Sequence, residues 1–318
     1  MRSPAPAFTS LLILTGGLFA ASALPALAAI ERVVEKTFAV GGAGTLRVET
    51  QGGAIRVQPG ASAAVRVVAR QKIRASTEAE ADELLQKLEL TLEQSGNDVS
   101  AVARYEKRSS WSFGAWPPVT VEFEVTVPAE FATRLRTSGG GIVVGSLSGA
   151  CEARTSGGAI KLGDIGGAVI AQTSGGGITL ASGGGTAKLH TSGGSITVGR
   201  VAGAADLATS GGGITIEAVG GKLRAHTSGG SIRAGITGAL AEDCSLSTSG
   251  GSVRVNVSPT AAFHLDAATS GGGVDAEGLT ITLEKSGRDR SRLAGAVNGG
   301  GPVLKLRSSG GGIAVRAM

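Results

Sequence analysis

The sequence predicts an all-β protein: a parallel β-solenoid of 18-residue coils with a small N-terminal mixed β cap containing one helix. Three observations lead to this fold class. A Thr-Ser-Gly opening returns at a fixed interval, and apolar and polar residues alternate after each opening. Glycine accounts for 53 of 318 residues, whereas the chain has only seven phenylalanines, two tryptophans and one tyrosine. A fixed period of this length is typical of stacked repeats.

The repeat openings define the coils. Six openings follow one another at equal intervals, one coil length apart: Thr137, Thr155, Thr173, Thr191, Thr209 and Thr227. The next two, Thr248 and Thr269, each follow after a slightly longer interval, and Ser308 begins a truncated copy. Five equal intervals identify a repeat architecture before any other argument is made.

Each coil contains two strands. In residues 155–172, "TSGGAIKLGDIGGAVIAQ", a glycine pair precedes the alternating residues Ile160, Lys161 and Leu162, and a second pair precedes Val169. Alternation with a period of two indicates a strand with one buried face. Each unit therefore supplies two short strands and two turns.

An antiparallel meander is the alternative architecture, because glycine pairs also form tight hairpin turns. Neighbouring strands of a meander run in opposite directions, so nothing in it favours the same residue at the same place in every repeat. In a parallel solenoid, coils lie about 4.8 Å apart and every residue stacks on its own copy. The repeated columns favour the solenoid, with roughly nine coils and a length of about 40 Å.

The abundant glycines are expected at the corners of the coils. A short coil must reverse direction sharply at least twice, and such corners need positive φ or a close approach of backbones. Threonine and serine before each corner can bond turn amides and stack in ladders. Ile, Val, Leu and Ala would fill a narrow interior that has no room for aromatic rings.

The chain divides into three predicted regions: a signal peptide at 1–28, a β-rich capping module at 29–136 and the solenoid at 137–318. In the capping module, strands are expected at 45–49, 54–57, 64–71, 99–105 and 119–127. Between them, 77–93 has helical spacing, with Ser76 as the N-cap. The stretch 50–57 already matches the repeat, so the cap is expected to contain an early coil; a cap would cover strand edges that otherwise promote aggregation.

The N-terminus has the pattern of a secretory signal peptide. Arg2 precedes a short apolar stretch, and Ala26-Leu27-Ala28 is a small-residue cleavage site, which places the mature start at Ala29. A permanent anchor helix is the alternative, but the apolar stretch is short and Pro25 interrupts it. No later stretch is long and apolar enough to span a bilayer. We expect an exported protein, periplasmic or extracellular.

The charge is mildly basic. The formal net charge is +5, and basic residues are dispersed among acidic ones. A dispersed pattern gives little support to nucleic-acid binding. Weak attraction to anionic envelope polymers fits this small net positive charge better.

Several features together resemble a known family: the predicted signal peptide, the early "GGAIRV", the "VTVEFEVTVP" strand beginning at Val119, and the tandem Thr-Ser-Gly-Gly coils. They resemble the bacterial envelope family named "putative adhesin", over about residues 36–318. That resemblance implies a β-solenoid of unknown function and supplies no catalytic residues. The insertion at 278–297 departs from simpler members.

The sequence lacks the residues that known metal-binding and cofactor-binding motifs require. Calcium needs six or more oxygen ligands, and among the repeats only Asp275 places an acid near a turn. The run 220–223 lacks the Ser or Thr that a P-loop places after its lysine. His190 and His226 share one outward column two coils apart, a separation of about 10 Å, which is too far for one metal ion. We expect no metal and no cofactor.

The two cysteines are expected to be buried free thiols. Cys151 and Cys244 both fall at inward positions, five coils or roughly 24 Å apart. A disulfide requires Cα atoms within about 7 Å. The carboxylates of the repeats scatter over different columns, so no paired-acid catalytic site is expected.

Two segments are candidate binding sites. The loop 106–118 presents Trp111, Phe113 and Trp116, and tryptophan is a favoured contact for partners; the alternative is that these rings plug the end of the solenoid. The insertion carries Arg288, Arg290 and Arg292, which could meet an anionic polymer, although a solvated loop is the simpler interpretation.

The function predicted from these observations is non-enzymatic: an envelope or surface adhesin or scaffold. Its partner would be an envelope polysaccharide or a surface or membrane protein. A carbohydrate-binding or polysaccharide-cleaving β-helix is the second hypothesis. An envelope-stress accessory that acts through a protein partner is the third.

Overall fold

The structure, a computed structural model, describes residues 30–106, 117–283 and 290–318. These residues form one α-helix and two long sheets, sheet A with 13 strands and sheet B with 14. Successive coils contribute one strand to each sheet, and neighbouring coils pair in parallel. The predicted parallel β-solenoid with a small N-terminal cap is confirmed. The predicted signal peptide, 1–28, lies outside the described residues.

The N-terminal elements are β1 Ile30–Ala39, β2 Thr45–Thr50, β3 Ile55–Gly60, β4 Ala64–Ile73, α1 Glu78–Leu85, β5 Leu88–Ser95, β6 Asp98–Tyr105, β7 Val119–Pro128 and β8 Ala132–Thr137.

The coils continue with β9 Ile142–Val144, β10 Cys151–Arg154, β11 Ile160–Ile165, β12 Val169–Gln172, β13 Ile178–Gly183, β14 Ala187–His190, β15 Ile196–Val201, β16 Ala205–Thr209, β17 Ile214–Val219, β18 Leu223–Thr227, β19 Ile232–Ile236, β20 Cys244–Thr248, β21 Val253–Val257, β22 Phe263–Thr269, β23 Val274–Glu277, β24 Ile281–Leu283, β25 Arg292–Val297, β26 Val303–Ser308 and β27 Ile313–Ala317.

The core lies between the two sheets and is built from stacked columns of apolar residues. In β13, Ile178 and Leu180 are buried and Thr179 between them is exposed. Ile178 pairs in register with Ile160 on one side and Ile196 on the other. This is the stacking of like residues that the fixed period predicts.

The coils are out of chain order at both ends of the stack. Sheet A follows the order β1, β4, β7, β3, β9, β11, β13, β15, β17, β19, β21, β27, β23. Sheet B follows the order β24, β25, β22, β26, β20, β18, β16, β14, β12, β10, β8, β2, β6, β5. The coil β2–β3 therefore lies between β6–β7 and β8–β9, and the C-terminal coil β26–β27 lies between β20–β21 and β22–β23.

The described residues form eleven stacked levels, from β6–β7 to β22–β23, rather than the roughly nine expected. The two additional levels, β2–β3 and β6–β7, lie in the segment predicted to be the cap, where only 50–57 resembles the repeat. Both levels continue the same two sheets as the later coils. The division of the chain after residue 136 stays a prediction.

A ladder of buried hydroxyl groups joins the levels at the Thr-Ser-Gly-Gly corner. Thr155 Oγ1 donates to the carbonyl of Gly140 at 2.8 Å and accepts a longer bond of 3.3 Å from the Gly158 amide. Such donation to a carbonyl of the preceding level recurs at Thr50, Thr137, Thr173, Thr191, Thr209, Thr227, Thr248, Ser308 and Thr269. These hydroxyls satisfy polar backbone groups that are withdrawn from water.

The corner glycines are required by close approach of backbones. A Cβ built on Gly158 would lie 2.1 Å from the carbonyl oxygen of Gly140 in the preceding level. The sequence also allowed a positive φ at the corners, but among the described residues positive-φ glycines occur elsewhere, such as Gly96 and Gly278. The corner therefore excludes a side chain because the preceding coil occupies that space.

The helix is shorter than predicted. The prediction placed a helix over 77–93 with Ser76 as N-cap; the helix spans Glu78–Leu85, and Thr77 is the N-cap, accepting from the Glu80 amide. Ser76 instead donates its hydroxyl and its amide to the Glu80 carboxylate. Residues 88–95 form β5, antiparallel to β6, because the leucines at 88, 90 and 92 alternate and pack against the core. Tertiary pairing overrode the helical spacing.

The two adjacent corner glycines provide a matched test. We predict that Gly158→Ala lowers the free energy of unfolding by about 1–3 kcal/mol, because the methyl group would overlap the Gly140 carbonyl. Gly157→Ala should change it by less than about 1 kcal/mol, since its Cβ would lie 3.4 Å from the nearest atom, Gly139 O. Chemical denaturation of both variants checks this, and equal effects would contradict the close-approach account.

Candidate binding site

The structure describes only part of the predicted site. Trp111, Phe113, Trp116 and Arg288 lie outside the described residues, so a binding role for them stays a prediction. Arg290 and Arg292 are both exposed; Arg292 is the first residue of β25 and Arg290 lies just before it, at the C-terminal end of the stack.

Sheet B brings together a different set of charged residues. Arg47 and Glu49 on β2, Arg134 and Arg136 on β8, and Glu152 and Arg154 on β10 all point outward. They point outward because the residues that alternate with them are buried: Leu46 and Val48, Thr133 and Leu135, Cys151 and Ala153. A shallow groove of about 300 Å³ lies over these three strands, with Leu135 also in its lining. We call this set of residues the arginine groove.

The strand register sets the pattern of charges in the arginine groove. Arg47 is directly opposite Arg134, which is opposite Glu152. In the second column, Arg136 lies opposite Glu49 on one side and Arg154 on the other. Each column therefore contains one pair of arginines side by side, an arrangement that costs free energy.

Both glutamates of the groove are engaged by arginines of the flanking strands. Arg47 donates to Glu49 at 2.8 Å and Arg104 donates to the same carboxylate at 3.2 Å. Burial alone would raise the pKa of Glu49, but the hydrogen bonds from these two arginines outweigh it and hold the pKa below its usual value. Glu152 pairs with Arg154 at 3.0 Å.

The central strand carries the unneutralised charge. Among the described residues, no carboxylate oxygen lies within 4.0 Å of a guanidinium nitrogen of Arg134 or Arg136, and both side chains are exposed. The Nε of Arg154 is buried and has no hydrogen-bond partner among those residues. The groove thus presents two guanidinium groups without a carboxylate partner in the described part of the chain, those of Arg134 and Arg136, to an incoming anion.

Sequence reasoning missed the groove because the residues come from distant segments. Arg47 and Arg134 become neighbours only because β2 is inserted against β8, out of chain order. The available signal was local: the outward positions read Arg-x-Glu at 47–49, Arg-x-Arg at 134–136 and Glu-x-Arg at 152–154. Only the middle strand lacks an acidic residue.

Sheet A carries a second pair of adjacent arginines. Arg233 on β19 lies in register with Arg254 on β21. They border a shallow depression of about 370 Å³ near the C-terminus. A third arginine there, Arg316, pairs with Glu277 at 3.3 Å.

The histidines and cysteines lie where the period places them. His190 and His226 flank Ala208 on alternate strands of sheet B, and His226 Nδ1 contacts Ser247 Oγ at 2.9 Å. Among the described residues, no group of three His, Cys, Asp or Glu side chains could hold a metal ion. Cys151 and Cys244 are buried free thiols, as expected.

This architecture is a two-sheet parallel β-solenoid with intercalated ends. The chain belongs to the Toastrack DUF4097 family, which matches residues 44–316 and whose function is unknown. No curated protein matches the chain. Among the helices that the structure describes, none is long and apolar enough to cross a membrane.

Solved structures that match the chain include three bacterial proteins, each 11% identical to it. The match with a "putative cell adhesion protein" from Clostridium sporogenes covers 91% of this chain and 100% of that protein's chain, with a TM-score of 0.24. A "putative adhesin" from Bacteroides fragilis covers 90% and 97%, with a TM-score of 0.39. A "putative lipid binding protein" from Parabacteroides distasonis covers 89% and 96%, with a TM-score of 0.33.

We predict that the two thiols of the native protein do not react with Ellman's reagent near neutral pH and that both react after unfolding. The thiolate is the reactive form, and burial raises the pKa of Cys151 from 9.0 to about 11 and also raises that of Cys244. Because folding raises the Cys151 pKa, its contribution to stability is complete below pH 9.0 and is lost toward about pH 11. The Cys151→Ala/Cys244→Ala variant provides the blank, and rapid reaction of the folded protein would contradict the burial.

Proposed function

We propose that the protein is a non-enzymatic, exported component of the bacterial envelope or surface, an adhesin or scaffold that binds through the outward faces of its solenoid. One observation carries the proposal: in the described part of the chain, eleven levels of in-register strands present two long faces on which outward side chains, several of them charged, occupy fixed columns. Stacked repeats commonly use such extended surfaces for binding. The partner would be an envelope polysaccharide or a surface or membrane protein.

Export is supported by the sequence of residues 1–28, which has the charge, apolar stretch and cleavage site of a signal peptide. Family membership supports the shared fold and leaves the activity open.

Fractionation of a bacterial host expressing the full chain with a C-terminal tag tests the export. We expect the tagged protein outside the cytoplasm, with the mass of a chain that begins at Ala29. A variant lacking residues 2–28 should remain in the cytoplasm. A full-length, uncleaved protein confined to the cytoplasm would contradict the export.

Sedimentation of the purified mature protein with isolated envelopes tests the binding. We expect the protein to pellet with the envelopes and to release no reducing ends or unsaturated sugars from them. Release of such products would favour a polysaccharide-cleaving enzyme. Recovery of one membrane protein in complex with the chain would favour an envelope accessory that acts through a protein partner.

A further inference from the structure

We propose that the arginine groove of sheet B binds the carboxylate groups of an acidic polysaccharide. This inference rests on the proposed binding role of the solenoid and assigns that role to a site and a ligand class. It concerns Arg47, Arg134, Arg136 and Arg154 on three neighbouring strands.

The first argument is the cost of the arrangement. Neighbouring strands lie about 4.8 Å apart, and like charges directly opposite one another destabilise a sheet. The pairs Arg47–Arg134 and Arg136–Arg154 are opposed in this way. A bound anion between the guanidinium groups would relieve this repulsion. Glu49 and Glu152 pair with arginines of β2, β6 and β10, and so leave the arginines of β8 uncompensated.

The second argument is the chemistry of the free groups. A guanidinium group offers a planar fork of donors that matches a carboxylate with two parallel hydrogen bonds. Glu49 and Glu152 already accept from other arginines, which leaves Arg134 and Arg136 without a carboxylate among the described residues.

The third argument is the shape of the site. Arg134 and Arg136 are two residues apart on one strand, so their Cα atoms are separated by about 7 Å. The site lies on the open face of a sheet. Lys188 on β14 lies in the column of Arg47, Arg134 and Glu152 farther along the axis, with Ile170 between Glu152 and Lys188. An extended chain with acidic groups at regular intervals suits this surface better than an enclosed small molecule does.

A polysaccharide fits better than a lipid surface. Peripheral membrane binding requires an apolar face beside the basic residues. The large apolar residues that the structure exposes are Val33, Val34, Leu283 and Met318. They lie on β1, on β24 and beyond β27, not among β2, β8 and β10. Charged side chains dominate the lining of the groove.

Binding of polygalacturonate and hyaluronate to the mature chain, residues 29–318, tests the proposal, with dextran as the neutral polymer. We expect Arg134→Gln/Arg136→Gln to weaken binding to at least one acidic polymer about tenfold, because two charge-assisted contacts are lost. The matched control, Lys161→Gln/Arg200→Gln, removes the same charge from exposed positions on sheet A and should change affinity less than about twofold.

Two further measurements distinguish bidentate hydrogen bonding by guanidinium groups from attraction to positive charge alone. Arg134→Lys/Arg136→Lys keeps the charge and should show an intermediate loss, since lysine cannot form the bidentate contact. Affinity should fall as salt rises from about 0.1 M to about 1 M, over which the Debye length shortens from about 10 Å to about 3 Å. Matching thermal unfolding curves for all variants will show that each is folded.

Three outcomes would overturn the groove assignment: no binding to either acidic polymer, equal weakening by the two glutamine variants, or tighter binding to phosphatidylglycerol vesicles than to the polymers. If the mature protein still pellets with envelopes in any of these cases, the proposed binding role stands and the groove is not its site. If it does not pellet, the proposed function fails independently.

Discussion

The structure depends on the register between successive coils, and the register depends on the Thr-Ser-Gly-Gly corner. There the threonine hydroxyl donates to a glycine carbonyl of the preceding coil, and the fourth residue lies so close to that carbonyl that only glycine fits. A slip of one residue would point every side chain of a strand to the opposite face and would separate each hydroxyl from its acceptor. The core columns and the outward charge columns both follow from this register.

The repeating part of this fold could be predicted from the sequence, because each coil obeys a local rule. Identical intervals between openings indicate stacking, and alternation identifies the buried face; Ile178 and Leu180 are inside and Thr179 is outside for this reason. Lateral stacking places each residue beside the equivalent residue of the next coil. The repeated columns within one chain therefore predict a parallel stack, because an antiparallel arrangement gives no reason for them.

The ends could not be predicted in the same way, because long-range pairing decides them. Nothing local in "LELTLEQS" distinguishes a helix from a strand that pairs with β6. The coils β2–β3 and β26–β27 lie inside the stack, between coils that are distant from them in sequence. Their positions depend on which strand edges they pair with, and no local pattern specifies those edges. These insertions secure segments near both termini between neighbours on two sides, whereas a terminal coil in chain order would have a neighbour on one side only.

The arginine groove is a consequence of that insertion. Arg47 reaches Arg134 only because the early coil lies against β8, so the charge pattern of the groove was absent from any contiguous stretch. The fold also explains why the site is a surface feature, because the interior is filled with side chains. Most of these are aliphatic, but the expectation that no aromatic ring would fit is wrong near both ends of the stack, where Phe123, Phe131 and Phe263 are fully buried. Binding chemistry on this scaffold has to come from outward columns and from loops at the ends.

Disulfide trapping in a Cys151→Ala/Cys244→Ala background measures the register on which this account depends. Adjacent in-register strands place Cα atoms about 4.8 Å apart, within the range that a disulfide bridges, whereas two strand spacings, about 9.6 Å, exceed it. Arg47→Cys with Arg134→Cys should therefore form an intramolecular disulfide under mild oxidation, and Arg47→Cys with Glu152→Cys should not. A bridge between positions 47 and 152, or none between 47 and 134, would contradict the insertion of β2 beside β8 and the groove that it creates.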